Sequence, residues 1–299
     1  MRVPVSSTPI EGLEHAPANR LVAAYLVATL APLAFAAATG RTPVARLAMH
    51  VVFLAAAVWA ARRRWPSVGA PIAAVVVASL AAWLPWLLIP GLYNEIPYIL
   101  PGLGGVLHDA RVIGWEHALF GASPVYTLSA RFPSRALSET LHAGYLSYYA
   151  LIYGPPLRLF VLGRRRAFGE TTFTVLLAFV CCYTAFVLFP VQGPWFEWIA
   201  PTTIPHGPIR ATVERLLHAG SSRGTAFPSS HVAVSVAQTL VTLRLQPALG
   251  VVAALCTLTL ALGAVYGGLH YGIDVVVGAV CGVVIAGVAR WVWPRMVRE

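Results

Sequence analysis

Apolar residues in this chain come in long runs, not in the short alternations of a strand or the narrow stripe of a surface helix. A bilayer core about 30 Å thick needs about 20 apolar residues per crossing helix. Eight runs meet or approach that length: 21–40, 44–61, 69–89, 137–162, 171–190, 229–245, 248–268 and 271–292. The second and sixth are the shortest. The pattern predicts an all-α, polytopic transmembrane bundle of about eight spans. Residues 1–20 are polar and proline-rich, and lack the short apolar core and small-residue cleavage site of a signal peptide. They are expected to form a disordered tail before an uncleaved first anchor.

Two longer loops interrupt the bundle. The Pro/Gly density of 90–136 excludes a regular span there. Its second half can form an amphipathic helix at the interface, with Trp115, Leu119 and Phe120 against lipid. The loop 191–228 carries Trp195, Phe196 and Trp198, which fit an aromatic belt at headgroup level.

Composition agrees with the pattern. The chain is 58% hydrophobic and 11% charged, with a mean hydropathy of +0.72, too little charge to cover a soluble domain. A net charge of +10 invites a nucleic-acid reading, but placement excludes it. All 21 basic residues are arginine, and clusters such as Arg62–Arg64 and Arg164–Arg166 flank apolar runs. With eight spans, thirteen arginines fall on the face holding both termini and eight on the other. The positive-inside rule makes the richer face cytoplasmic and both long loops extracytoplasmic. Arginine-only usage with abundant Ala, Val and Gly fits a GC-rich bacterial coding sequence, hence an inner membrane. Cys181, Cys182, Cys256 and Cys281 all lie within apolar runs, without metal or disulfide spacing, and read as small packing residues.

Two polar sites stand out. "AFPSSHVAVS" (226–235) places Ser229, Ser230 and His231 at the start of an apolar helix, with Pro228 as the start signal. Such a helix start offers backbone N–H groups and a positive dipole to phosphate oxygens. "AVYGGLHYGIDVVVG" (264–278) holds His270 and Asp274, four apart and expected on one helix face. An ionisable residue inside a span is costly and usually functional. The sixth and seventh spans are similar in length, so the chain leaves from His231 and returns to the same depth at His270. A lone interfacial histidine usually only caps a helix. Two polar sites at matched depth suit phosphoryl transfer: one histidine as nucleophile, the other as general acid and base, and Asp274 orienting an imidazole.

"FPSSH" and "YGGLHYGID" resemble the second and third motifs of the type 2 phosphatidic acid phosphatase (PAP2) superfamily. The resemblance is close over about 227–278. It implies His231 as acid/base, His270 as nucleophile, Asp274 as its orienter, no metal or other cofactor, and a membrane lipid as substrate. Taken with the apolar runs, it divides the chain into an expected N-terminal tail (1–20), N-terminal transmembrane helices (21–89), a PAP2-like core (90–293) and a cytoplasmic tail (294–299). The departures matter. Ser230 stands where the phosphatases usually have glycine, Ala264 where they have arginine, and the lysine-containing first motif has no counterpart because the chain has no lysine. "LFPVQGPW" (188–195), and less specifically "ALFGASP" (118–124) and "YLSYY" (145–149), resemble the inositol phosphorylceramide synthase-like branch instead. The phosphate still needs positive charge or donors. Arg223, in the loop before His231, is the first candidate, with Ser229 and Ser230 beside it; Arg210, Arg215 and His142 are weaker candidates. The expected activity is therefore lipid phosphotransfer or simple lipid-phosphate hydrolysis. The rival is a non-catalytic membrane protein with a degenerate site, motivated by the missing cations.

Overall fold

A computed structural model describes residues 14–197 and 206–297, and everything below concerns these. The chain is helical throughout: α1 (Ala16–Ala38), α2 (Val44–Ala61), α3 (Ile72–Ile99), α4 (Asp109–Phe120), α5 (Pro124–Arg131), α6 (Arg135–Leu146), α7 (Tyr148–Val161), α8 (Arg165–Leu188), α9 (Pro194–Glu197), α10 (Pro208–Gly220), α11 (Ser230–Leu245), α12 (Pro247–Tyr266) and α13 (Gly272–Met296). Among the described residues there is no strand, only a single bridge between Val191 and Thr225.

Six helices are long and apolar enough to cross a bilayer: α1, α2, α3 with its 3-10 extension to Leu103, α8, α12 and α13. The protein is thus an integral, multi-pass membrane protein. Two of the eight expected spans take another form. The run 137–162 is divided between α6 and α7 at Ser147, whose hydroxyl donates to the Gly144 carbonyl at 2.6 Å. Such back-bonding by a serine bends a helix. The run 229–245 is α11, only 16 residues long.

Two boundaries differ from expectation. α1 starts at Ala16, inside the expected tail. His15 is buried edge-on to Trp65, and Asn19 donates to the Ala81 carbonyl of α3 at 3.1 Å. Pro17 sits in the first turn, where a missing N–H costs nothing. Residues 1–13 of the expected tail lie outside the described residues. α3 runs on to Ile99 through Pro85, Pro90 and Pro97, so the loop expected from residue 90 begins about ten residues later. Helices packed around such prolines re-satisfy the freed carbonyls, which a turn count cannot foresee.

α8 is the most enclosed of the six. It packs against α1 and α3 on one side and α11 and α13 on the other, joining the N-terminal helices to the C-terminal ones. α2, α12 and α13 keep exposed apolar flanks, for example Val51, Val251, Leu255 and Val284, which suit lipid. In lipid, helices gain little from mutual apolar contact and meet through small residues. Gly278 and Gly282 show this on α13: a Cβ on Gly278 would stand 2.6 Å from the Ser229 carbonyl oxygen, and one on Gly282 would stand 2.5 Å from that of Ala233. α11 and α13 therefore lie backbone to backbone.

Candidate active site

The start of α11 is fixed from three directions. Ser229 is the N-cap, its hydroxyl accepting from the Val232 N–H at 3.4 Å. Its own N–H donates to the Asp274 carbonyl of α13 at 3.0 Å. Upstream, Ala226 N–H donates to the Val191 carbonyl at 2.9 Å, and Thr225 shares a 2.8 Å hydrogen bond with the Tyr93 hydroxyl of α3. His231 follows as the second residue of α11. Ser230 and His231 lie in the first turn, where backbone N–H groups have no partner within the helix.

The second segment differs from a continuous helix. α12 ends at Tyr266, and the N–H groups of Leu269 and His270 turn back to the Ala264 carbonyl at 2.9 and 3.0 Å. Gly268 supplies the left-handed turn, with φ +73°. His270 thus hangs in the loop, and α13 starts only at Gly272. Asp274 is fully buried in the first turn of α13 and accepts from the Tyr271 N–H at 2.9 Å. The expected shared helix face is corrected to a loop-to-helix contact. Nδ1 of His270 stands 3.4 Å from Oδ2 of Asp274, within ion-pair range but not aligned as a hydrogen bond.

Both segments meet. The His231 and His270 rings have centroids 6.0 Å apart. His270 is 5% exposed, and burial pushes its imidazole down to about 4, against a smaller opposing effect of the Ala226 backbone. His231 packs against Tyr148, centroids 4.5 Å apart, and its Nε2 lies 3.3 Å from the Tyr145 hydroxyl.

Two cavities adjoin the histidines. A small one of about 40 Å³ is lined by both rings together with Gln192, Trp195, Ser222 and Thr225. A larger one of about 250 Å³ contains His231 but not His270, and six tyrosines line it: Tyr93, Tyr145, Tyr148, Tyr149, Tyr153 and Tyr183. Its remaining lining is mostly aliphatic, from α3, α7 and α10. Among the described residues no arginine lines either cavity. Nor does any group of three His, Cys, Asp or Glu side chains form a metal-type cluster.

The candidate cations are placed elsewhere. Arg223 is exposed, its guanidinium 5.6 Å from the Phe196 ring centre. Arg210 is buried and donates to Glu214 at 2.7 Å. Arg215 bonds back to the Ala211 carbonyl of its own helix. His142 is buried, with Nδ1 2.7 Å from the Ser138 carbonyl. Of the serines, Ser230 lines the larger cavity, while the Ser229 hydroxyl is taken up as the cap. Trp195 lines the small cavity and packs on His218, so it faces the site and not a lipid belt; Trp198 lies outside the described residues.

Acidic residues not foreseen from the sequence hold the site together. Glu116 of α4 is fully buried and accepts from the N–H groups of Gly272 and Ile273 at 3.1 and 2.7 Å and from the Ser123 hydroxyl at 3.0 Å. It caps the helix that carries Asp274. Asp109, two helical turns earlier, accepts from the N–H groups of Gln192 and Gly193. Glu139 of α6 accepts from Ile209 and Arg210 at the start of α10. Asp109 and Glu116 are seven apart, on one face of α4, and that spacing is the signal that could have exposed the first two.

A model of the PAP2 superfamily matches residues 111–288. No curated protein matches the chain, and no solved structure does.

Proposed function

The chain belongs to the PAP2 superfamily, and from that premise we propose that it is a lipid phosphotransferase or phosphatase working through a phosphohistidine on His270. The observation that carries this is the pairing of the His231 and His270 rings, 6.0 Å apart, on one small cavity beside a larger apolar one. A nucleophile stands about 3–3.5 Å from the atom it attacks, and a general acid within about 3 Å of its proton acceptor. The two rings are spaced to flank a single phosphoryl group.

His270 attacks phosphorus with the ring nitrogen turned away from Asp274. The bond from phosphorus to the lipid oxygen breaks, and that oxygen takes a proton delivered from His231. An incoming hydroxyl then gives its proton back towards His231 and displaces His270 from phosphorus. Asp274 holds and polarises the His270 imidazole. Phosphate oxygens rest on the free N–H groups at the start of α11 and on the hydroxyls and the amide of the small cavity. The absence of arginine and lysine from the lining among the described residues supports the inositol phosphorylceramide synthase-like branch, with an alcohol as acceptor, in agreement with "FPSSH", "HYGID" and "LFPVQGPW".

The site faces the extracytoplasmic side of a bacterial inner membrane. Supporting this, Arg158 and Arg244 lie at the opposite ends of their helices, where Arg158 donates to Gln246 and Arg244 pairs with Glu170. His231 and Arg244 are separated by about 20 Å of helix. The basic cluster Arg164–Arg166 belongs to that far end, next to Glu170 at the start of α8.

The test uses purified protein in detergent with lipids labelled in the headgroup phosphate, wild type beside His270→Ala, with and without a lipid alcohol. A labelled new lipid that needs the alcohol marks a transferase. Acceptor-independent phosphate release marks a phosphatase. Identical traces for both proteins would overturn the proposal in favour of a non-catalytic membrane protein.

A further inference from the structure

We infer that Tyr145 is a catalytic residue that carries the proton between His231 and a lipid alcohol lying in the tyrosine-lined cavity; the inference rests on the function proposed above. Nδ1 of His231 is buried without a hydrogen-bond partner among the described residues. Nε2 is therefore the nitrogen through which the ring exchanges a proton. The group it meets is the Tyr145 hydroxyl, 3.3 Å away. That hydroxyl has no other hydrogen-bond partner among the described residues, and Tyr145 lines both cavities.

The cavities assign the two halves of a lipid phosphate. His270 borders only the small cavity, so the phosphorus it attacks lies there. The larger cavity is mostly apolar, reaches His231 and excludes His270. It suits the alcohol bearing the hydrocarbon chain. Tyr145 stands on the shared wall with Tyr93, Leu217, Ser221 and His231. Tyr148 packs on the His231 ring and restricts its rotation towards the larger cavity. A phenol can accept and donate at the same time, so Tyr145 bridges the gap. The demand for a proton is acute here, because among the described residues no arginine lines either cavity to stabilise a departing alkoxide.

The step balances. A phosphate's negative charge beside His231 favours its imidazolium, and the step begins from that form. The His270 nitrogen bonds to phosphorus as the phosphorus–oxygen bond to the lipid breaks. The leaving oxygen takes the phenolic proton of Tyr145, and Tyr145 takes the Nε2 proton of His231. In the second half the oxygen of an acceptor hydroxyl bonds to phosphorus as the bond from phosphorus to His270 breaks; that hydroxyl gives its proton to Tyr145, and the phenolic proton passes to Nε2 of His231, which regains its imidazolium form.

The experiment compares two leaving groups on the full-length protein in detergent. Didodecyl phosphate expels an alkoxide that must be protonated. Dodecyl 4-nitrophenyl phosphate expels nitrophenolate, which needs no proton. Tyr145→Phe is expected to slow dodecanol release by about a hundredfold or more, while the first-turnover burst of nitrophenolate changes by less than about threefold. His231→Ala should show the same split. The preserved burst doubles as the control for folding. Equal losses on both probes in a variant whose thermal unfolding in detergent matches wild type, or no loss on either, would overturn the role of Tyr145. If wild type and His270→Ala give the same traces on both probes, the failure lies with the proposed function and not with Tyr145.

Discussion

The carboxylate of Glu116 lies 2.7 Å from the backbone nitrogen of Ile273, 157 positions further along the chain. A side chain from the short helix α4 therefore closes the N-terminus of α13, one residue before Asp274. Negative charge at a helix N-terminus is favourable, and the buried position strengthens it. Glu116→Ala would strand two backbone N–H groups and the Ser123 hydroxyl, at a cost of about 3 kcal/mol or more. Glu116→Gln keeps an acceptor oxygen and should lose less. Thermal unfolding in detergent checks the order, Ala well below Gln. Activity should fall in both, because the first turn of α13 sets Asp274 against His270.

That contact also marks the limit of what the chain discloses by itself. The meeting of His231 and His270 was legible, because the lengths of the two intervening helices return the chain to its starting depth. The apolar runs were legible because a bilayer demands length. The roles of Glu116, Asp109 and Glu139 were not: the spacing of the first two marks one face of α4, but each caps a backbone far away in sequence, and nothing local announces that partner. In the sequence, Tyr145 and Tyr148 stand out only within "YLSYY", as a less specific resemblance to one branch of the family; the kink at Ser147 and the packing of α7 beside α11 bring them to His231. The His270–Asp274 spacing suggested a shared helix face. Gly268 instead ends α12 and leaves His270 in a turn, at the same separation in sequence but with a different geometry.

Asp274→Asn separates the capping role of this residue from its charge. The amide oxygen can still accept from the Tyr271 N–H, as Oδ2 does at 2.9 Å. The acidic group 3.4 Å from Nδ1 of His270 becomes a neutral amide. The expected outcome is a loss in kcat of roughly 10²–10⁴-fold, with a melting temperature near that of wild type. Full activity in Asp274→Asn would show that the charge plays no part.

The pH profile tests the state of His270. Burial holds its imidazole at about 4, so the ring stays neutral and nucleophilic through the range where an exposed histidine would protonate. As the proposed nucleophile, His270 should therefore place no break near pH 6.5 in kcat/KM, and its own acid limb should appear towards pH 4. The stability linkage has the same sign. The unfolded chain, with an ordinary imidazole, binds the proton first, so this contribution is complete above about pH 6.5 and fades as pH falls towards 4. Rate profiles with a nitrophenyl ester, whose leaving group needs no acid, isolate this limb.

His50 and Glu95 form a second buried polar centre, remote from the chemistry. Nδ1 of His50 lies 2.9 Å from the Glu95 carboxylate, and Nε2 lies 2.8 Å from the Leu26 carbonyl, tying α1, α2 and α3 together. Both side chains are essentially inaccessible. Breaking one member of such a pair costs about 3–5 kcal/mol because the other is stranded. Glu95→Ala should lower the unfolding midpoint strongly. An unchanged midpoint would mean that the N-terminal helices are held by packing alone.

Gly278 gives the sharpest link between packing and chemistry. Its missing side chain lets α13 approach the Ser229 carbonyl, where an added Cβ would stand at 2.6 Å. Backbone cannot yield as a flexible side chain does, so the two helices must separate. Ser229 caps α11 one position before Ser230 and two before His231, and its N–H is bonded to the Asp274 carbonyl. Separation there moves His231 away from His270 directly. Gly278→Ala should therefore reduce kcat by more than its loss of stability suggests, since misplacing reacting groups by about 1 Å can cost 10²-fold. Gly287, which has no neighbour within 4 Å of an added Cβ, is the matched control on the same helix. Gly287→Ala should leave the rate unchanged and, by its better helix propensity, raise stability by up to about 1 kcal/mol. Equal behaviour of the two variants in rate and midpoint would show that the close approach of α11 and α13 does not set the histidine pair.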